Sequence, residues 1–211
     1  MDKVKLVVFD LDDTLIRNID SVMLPCILNG KEKEHLAIMS REKAGELDWI
    51  AADTLSAGLF KGLAESKLTD SFLDVTKPLD NIQNVVDSLH ETGILCIVIT
   101  VGPKQVAKAA CNIWGFDDCY GSDYEVIDGM FTGKVCAFNY PEDKTNCLID
   151  FCGKHNIAPE NCVAIGDGVT DIPIFEYCGK SIAINALPDV QKKAMHSIDT
   201  QDLADIMRFI I

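Results

Sequence analysis

The sequence predicts an α/β fold: a parallel-sheet core, a helical insert after the first strand, and a small β-hairpin flap. Three observations predict it. Val4 to Phe9 is an almost unbroken β-branched and apolar run, as a strand buried on both faces requires. From residue 76 onward, strand-like and helix-like stretches alternate with the spacing of parallel β-α-β units. Residues 16–75, by contrast, hold helix-like stretches and no convincing strand. The core is therefore expected over 1–15 and 76–211, with 16–75 as a helical cap.

In chain order, the first strand ends where charge begins, at Asp10-Leu11-Asp12-Asp13. Helices are expected near 19–28, 35–50 and 52–68, the second because Glu34, Leu36, Ala37, Met39, Glu42, Lys43, Ala44, Glu46 and Leu47 are good helix formers. Asp80 is expected to cap a helix whose apolar positions Ile82, Val85, Val86 and Leu89 share one face, with Gly93 ending it. A buried strand follows over 94–99, and Pro103 suits the first turn of the next helix, packed through Val106, Ala107, Ala110 and Ile113.

Within 124–135, Asp128-Gly129 between apolar residues is a hairpin signal, read either as a flap beside the site or as a simple edge hairpin. A helix over 143–155 packs through Cys147, Leu148, Phe151 and Cys152. A strand over 161–165 runs into Gly166-Asp167-Gly168-Val169-Thr170-Asp171, where Asp171 is a candidate cap for the helix that carries Ile174 and Phe175. Further strands are expected over 181–184 and near Ile198, then a closing helix over 202–209.

The net charge of −14 over 211 residues argues against nucleic-acid or anionic-membrane partners, which reward the opposite sign. It permits a small phosphorylated ligand, because a local cation inverts the field in one pocket. The nine cysteines are scattered without CxxC spacing and read as buried hydrophobes of a reducing compartment. With no long apolar stretch and no signal-peptide pattern, a cytoplasmic monomer or homodimer is expected.

Polar groups gather at the ends of the predicted strands. Residues i and i+2 of an extended chain point the same way, so Asp10 and Asp12 face one crevice beyond the first strand. Thr100 ends the second strand, Lys144 opens a helix, and Asp167 and Asp171 follow a third strand. Open α/β sheets bind ligands in that crevice. Phosphoryl transfer through a covalent intermediate needs such groups, because one carboxylate attacks phosphorus while fixed cations and donors meet the charged oxygens.

Asp10, at the rigid strand end, is the better nucleophile, and Asp12, in the turn, the general acid and then base. Lys144, Thr100 and the neighbouring amide of Val101 would hold the phosphate. Four acids in one cleft, Asp10, Asp12, Asp167 and Asp171, call for a divalent ion, and hard oxygen ligands favour Mg2+.

These residues resemble the haloacid dehalogenase-like superfamily, in its phosphatase branch. Asp10-Leu11-Asp12-Asp13-Thr14-Leu15 is similar to its first motif, Thr100 to the second, Lys144 to the third, and Gly166 to Asp171 to the fourth. The resemblance implies a Rossmann-like core, an aspartyl-phosphate at Asp10, and magnesium held by Asp10, the Asp12 carbonyl and Asp167, with Asp171 in support. A cap after the first motif and the run Asp128-Gly129-Met130-Phe131-Thr132-Gly133 resemble the phosphoserine phosphatase-like subgroup.

Members that bind phosphoserine carry a cap glutamate near the position of Ile19 or Asp20, and an arginine around 55–59. This chain has neither in register. Asp20 and the cap arginine Arg41 are left as the candidate substrate contacts. The expected activity is Mg2+-dependent hydrolysis of a small phosphorylated metabolite, with phosphoserine as one candidate. The alternatives are a phosphotransferase using the same covalent half-reaction and a non-catalytic phosphoryl-binding regulator.

Overall fold

The structure is a computed structural model and describes residues 3–210. Strand β1 (Leu6–Phe9) has all four residues buried, which explains why its sequence carries no charge before Asp10. The other strands are β2 (Leu95–Pro103), β3 (Asp118–Ile127), β4 (Met130–Ala137), β5 (Cys162–Gly166), β6 (Lys180–Ile184) and β7 (His196–Ile198). Together they form one sheet in the order β4-β3-β2-β1-β5-β6-β7. All pairs are parallel except β3 with β4. β1 pairs with β2 on one side and β5 on the other, so the strand order reverses beside it. This reversal opens a crevice at the carboxyl ends of β1 and β5.

Alternation along β1 divides the core between two faces. Val7 and Phe9 pack with Val98 and Ile165, while Leu6 and Val8 pack with Ile97 and Ile99. Burying each such side chain contributes about 1.5–3 kcal/mol. The first face also holds residues of α5 (Ile82–Glu91) and α6 (Lys104–Trp114), the second those of α7 (Pro141–His155) and α8 (Ile172–Tyr177).

Residues 16–75 contain no strand, as expected, but four helices stand where three were expected: α1 (Met23–Leu28), α2 (Glu32–Lys43), α3 (Trp49–Leu59) and α4 (Ser66–Val75). The expected 35–50 helix stops early because Gly45 turns left-handed, after which Asp48 caps α3 by accepting from Ala51 N at 2.8 Å. The expected 52–68 helix is divided at Gly62, also left-handed. A glycine at positive φ marks the break in each case.

Three further expectations are corrected. Asp80 does not cap α5; its backbone bonds to Gln201 and Leu203, and Asn81 starts the helix in a left-handed conformation. β2 runs past residue 99 to Pro103, with a register shift against β3 between Ile99 and Pro103. The closing segment is a 3-10 turn (Leu203–Ile206) before the short α9, where α9 here denotes Met207–Ile210.

The Asp128-Gly129 hairpin forms, with Val126 opposite Phe131. It is the far half of β3, which begins as a parallel neighbour of β2, and β4 is an edge of the sheet. The hairpin is therefore an edge hairpin, and the segment between α3 and α4 bonds to it through Gly62 N to Phe131 O (2.9 Å) and Glu65 N to Gly129 O (2.8 Å). All nine cysteines are free, and seven are buried.

Candidate active site

Asp10 is the first residue beyond β1, and its amide donates to Ile165 O of β5 at 2.9 Å, which fixes its backbone in the crevice. α7 starts with Pro141 and carries Lys144 in its first turn. The Lys144 side chain is fully buried and its Nζ donates to Asp10 Oδ1 (2.6 Å) and Asp171 Oδ1 (2.7 Å). A buried ammonium is tolerable only with such partners. Burial alone would lower Lys144, but the Asp10 and Asp171 charges overcome it and hold the lysine protonated.

Burial pushes the Asp10 carboxyl well above the usual range, and the nearby Asp171 and Asp12 charges push the same way against Lys144. Asp171 spends its other oxygen on the amides of Asp167 (3.1 Å) and Gly168 (3.0 Å), so it pins the loop after β5 and does not cap α8. Gly166 makes room for it, since a Cβ there would lie 2.3 Å from the Asp171 carboxyl.

Asp167 accepts from Thr14 Oγ1 at 3.0 Å. Burial, then the charge of Asp171, raises its carboxyl to about 6. Asp10, Asp167 and Asp171 each offer an oxygen within 4.8 Å of the others, a hard donor set that suits a divalent ion. Asp167 Oδ2 accepts no hydrogen bond from the described residues, which leaves it available to a cation. Both Asp171 oxygens, in contrast, are already engaged.

Asp12 turns away from Lys144 to Ser21, accepting from its amide (2.7 Å) and hydroxyl (2.6 Å). Burial raises its carboxyl to about 7 despite those two bonds, and the Asp20 charge adds to the rise. Gly102 backs onto this contact: a Cβ there would lie 2.0 Å from Ser21 Oγ. Gly102→Ala is expected to displace that hydroxyl and, through the lost bond to a charged group, reduce turnover at least about tenfold. Steady-state kinetics on a purified, folded variant check this.

Thr100 is fully buried and its Oγ1 accepts from Gly102 N at 3.0 Å, so the hydroxyl proton is free to donate elsewhere. Asn139 donates to the Thr100 carbonyl (2.7 Å) and Ser122 to the Val101 carbonyl (2.6 Å), fixing the irregular end of β2. Thus Asp10, Lys144, Asp167 and Asp171 come together, with Asp12 close by. Asp20 is exposed, and its Oδ1 accepts from Met23 N at the start of α1. Arg41 is not brought to the cluster; it is exposed near the end of α2 and pairs with Glu46 at 3.3 Å.

Two supporting residues, Ser21 and Asn139, escaped the sequence reading. Thr14 lay inside the first motif and was legible there. Ser21 and Asn139 carried no signal, because their partners are set by how loops return to the site.

In the metal-free protein Asp10, Asp12 and Asp167 sit above their unfolded pKa of about 3.9. The folded state then binds protons that the unfolded state has released. Stability from this source is greatest at low pH and is lost as pH rises through the values near 6 for Asp167 and 7 for Asp12. The urea midpoint of EDTA-treated protein is expected to fall between about pH 5 and about pH 8, and a divalent ion to raise it again at neutral pH. A midpoint climbing with pH in EDTA would contradict this.

The family model described as haloacid dehalogenase-like hydrolase matches residues 7–176. The chain is similar to the phosphoserine phosphatase of Halobacterium salinarum, 31% identical over 201 residues that cover 93% of each chain. It is 28% identical to that of Methanocaldococcus jannaschii over 211 residues, covering 99% of this chain and 98% of the other. A solved substrate-bound phosphoserine phosphatase complex superposes with a TM-score of 0.80 at 26% identity, covering 100% of both chains. A phospho-aspartyl intermediate analogue of phosphoserine phosphatase gives 0.79 at the same identity and coverage.

Proposed function

Because this chain belongs to the haloacid dehalogenase-like hydrolases, in their phosphoserine phosphatase-like subgroup, we propose that it hydrolyses a small phosphomonoester through phosphate carried on Asp10. The observation that carries the reading is the buried Lys144 clamped between Asp10 and Asp171. It holds one oxygen of the nucleophile in place and leaves Oδ2 to attack.

In the first step Asp10 Oδ2 bonds to phosphorus as the bond to the leaving alkoxide breaks, and Asp12 gives that alkoxide its proton. Asp12, now a carboxylate, takes a proton from water, which attacks phosphorus and frees Asp10 with inorganic phosphate. Burial raises the Asp12 carboxyl to about 7 against the Ser21 bonds, so it can both give and take a proton near neutral pH. Thr100 Oγ1, the Val101 amide and Lys144 are assigned to the phosphoryl oxygens.

Asp10, Asp167 and the Asp12 carbonyl are assigned to a divalent ion, Mg2+ by donor hardness, with Asp171 positioning the loop that carries Asp167. When bound, that ion supplies positive charge to the phosphoryl oxygens. Residues 16–75 are assigned the role of a lid over the crevice. Among the described residues no helix is long and apolar enough to cross a membrane. The relatives named above make phosphoserine the first substrate to try.

Phosphate release from p-nitrophenyl phosphate is expected with Mg2+ and to be lost in EDTA. Turnover undiminished by EDTA would overturn the metal assignment, and no phosphate release from any phosphomonoester would overturn the function.

A further inference from the structure

Helix α3 begins at Trp49, because Asp48 caps it and Gly45 has ended the helical stretch before it. Trp49 is half-buried, and its ring meets Phe138 at 5.5 Å and Tyr140 at 5.3 Å, both edge to face. Phe138 and Tyr140 are 6.4 Å apart, so the three rings form one cluster. The other end of α3 is held separately. Phe60, directly after the helix, stacks on Tyr124 of β3 at 5.2 Å and meets Phe131 of β4 at 5.7 Å. This cap helix therefore touches the core at both ends, and through its first residue it reaches the segment between β4 and α7.

That segment, residues 138–140, braces both groups assigned to phosphate. Asn139, between the two rings, donates Nδ2 to the Thr100 carbonyl at 2.7 Å. Its amide donates to Ser122 Oγ at 2.9 Å, and Ser122 donates to the Val101 carbonyl at 2.6 Å. Tyr140 is the N-cap of α7. Its amide donates to Asp143 Oδ2 at 3.1 Å and its carbonyl accepts from Asp143 N at 2.9 Å, one residue before Lys144.

Residues 138–140 belong to no strand or helix, so their place depends on these bonds and on the ring cluster. Edge-to-face ring pairs are favourable beyond the area they bury, and they are directional. Precision matters here, because a misplacement of about 1 Å at a reacting centre costs about a hundredfold in rate.

We infer that Trp49 is a positioning residue for the phosphoryl site: seated on Phe138 and Tyr140, it holds the Asn139 segment, and through it Thr100 and Lys144, at the spacing phosphate oxygens require. This rests on the phosphatase reading above and adds the residue through which the cap acts on that site. The effect of Trp49 passes through Asn139 and Tyr140, not through contact with a leaving group.

The test uses inorganic phosphate, which has no leaving group for the cap to touch, on the Mg2+-loaded full chain. Its dissociation constant, measured by calorimetry, is expected to rise at least about fivefold in Trp49→Ala and to stay within about twofold of wild type in Trp49→Phe, which keeps a ring on the cluster. In Trp49→Ala, kcat/KM is expected to fall by one common factor for p-nitrophenyl phosphate and glycerol 2-phosphate, because the loss lies on the phosphoryl group they share. An unchanged phosphate dissociation constant in Trp49→Ala would overturn the inference. So would a fall in kcat/KM confined to one ester, which would make Trp49 a leaving-group contact.

Tyr140→Ala, on a side chain at the surface, is expected to weaken phosphate at least about threefold, and no change there would also overturn the inference. Misfolding of Trp49→Ala therefore does not shield it. Wild type binding no phosphate would remove the assignment of Thr100 and Lys144, and this inference with it. The binding measurement needs no turnover, so failure of the hydrolysis reading is told apart from failure of this one.

Discussion

Asp10→Asn is expected to lower turnover by on the order of 10⁴-fold or more while making the metal-free protein at least as stable as wild type. The first effect follows because an amide oxygen does not form the covalent bond to phosphorus that the two-step route requires. The second follows from the environment of the carboxylate. Burial and the charges of Asp171 and Asp12 all work against ionised Asp10, and only Lys144 favours it. An asparagine of the same shape still accepts from Lys144 through Oδ1, and Lys144 keeps Asp171 as its counter-ion at 2.7 Å. Activity and stability then move in opposite directions, as they do where a site stores unfavourable charge for function. Kinetics with a urea titration in EDTA read both; a variant that loses activity because it unfolds would contradict the second half.

Lys144→Met is expected to fail on both counts. Its ammonium is fully buried and is the shared partner of Asp10 and Asp171, so its removal strands two acids in a site that water reaches poorly. Breaking a buried pair by removing one partner costs about 3–5 kcal/mol, against about 1 kcal/mol or less for an exposed pair. Asp10 can soften that loss by taking up a proton, which fixes its pH dependence. Burial already raises the Asp10 carboxyl, and losing the Lys144 charge raises it further, so the destabilisation grows from about pH 5 to about pH 8. Turnover is expected to fall at least about a thousandfold, since both the nucleophile and the phosphoryl oxygens lose their fixed cation. Denaturation midpoints at two pH values test the stability effect, and a pH-independent loss would contradict it.

Asp10 and Lys144 were legible in the sequence for a physical reason. A strand buried on both faces tolerates no charge, so the first carboxylate after Val4 to Phe9 marks the strand end, and strand ends meet at the crevice. The same reasoning reached Asp167 after β5. It missed the first half of β3, because Asp118 to Asp123 is too polar to read as a strand, although its pairing with β2 supplies the ladder. It ended β2 too soon, since Thr100 to Pro103 has the composition of a loop and its strand character comes from neighbours. The breaks at Gly45 and Gly62 were visible as residues, yet a glycine in a helical stretch is often tolerated, and only their positive φ decides the matter. Arg41 was proposed for the site on charge alone. Its place near the end of α2, beside Glu46, depends on where the helix starts and stops.

The most direct measurement is to trap the intermediate. Borohydride added during steady-state turnover, with Mg2+ and a phosphomonoester present, reduces an aspartyl phosphate to homoserine. Peptide mass mapping is expected to find that conversion at position 10, dependent on substrate and on the divalent ion, and absent in Asp10→Asn. Turnover at full rate with Asp10 unmodified, or with the label on another carboxylate, would contradict the covalent route through Asp10.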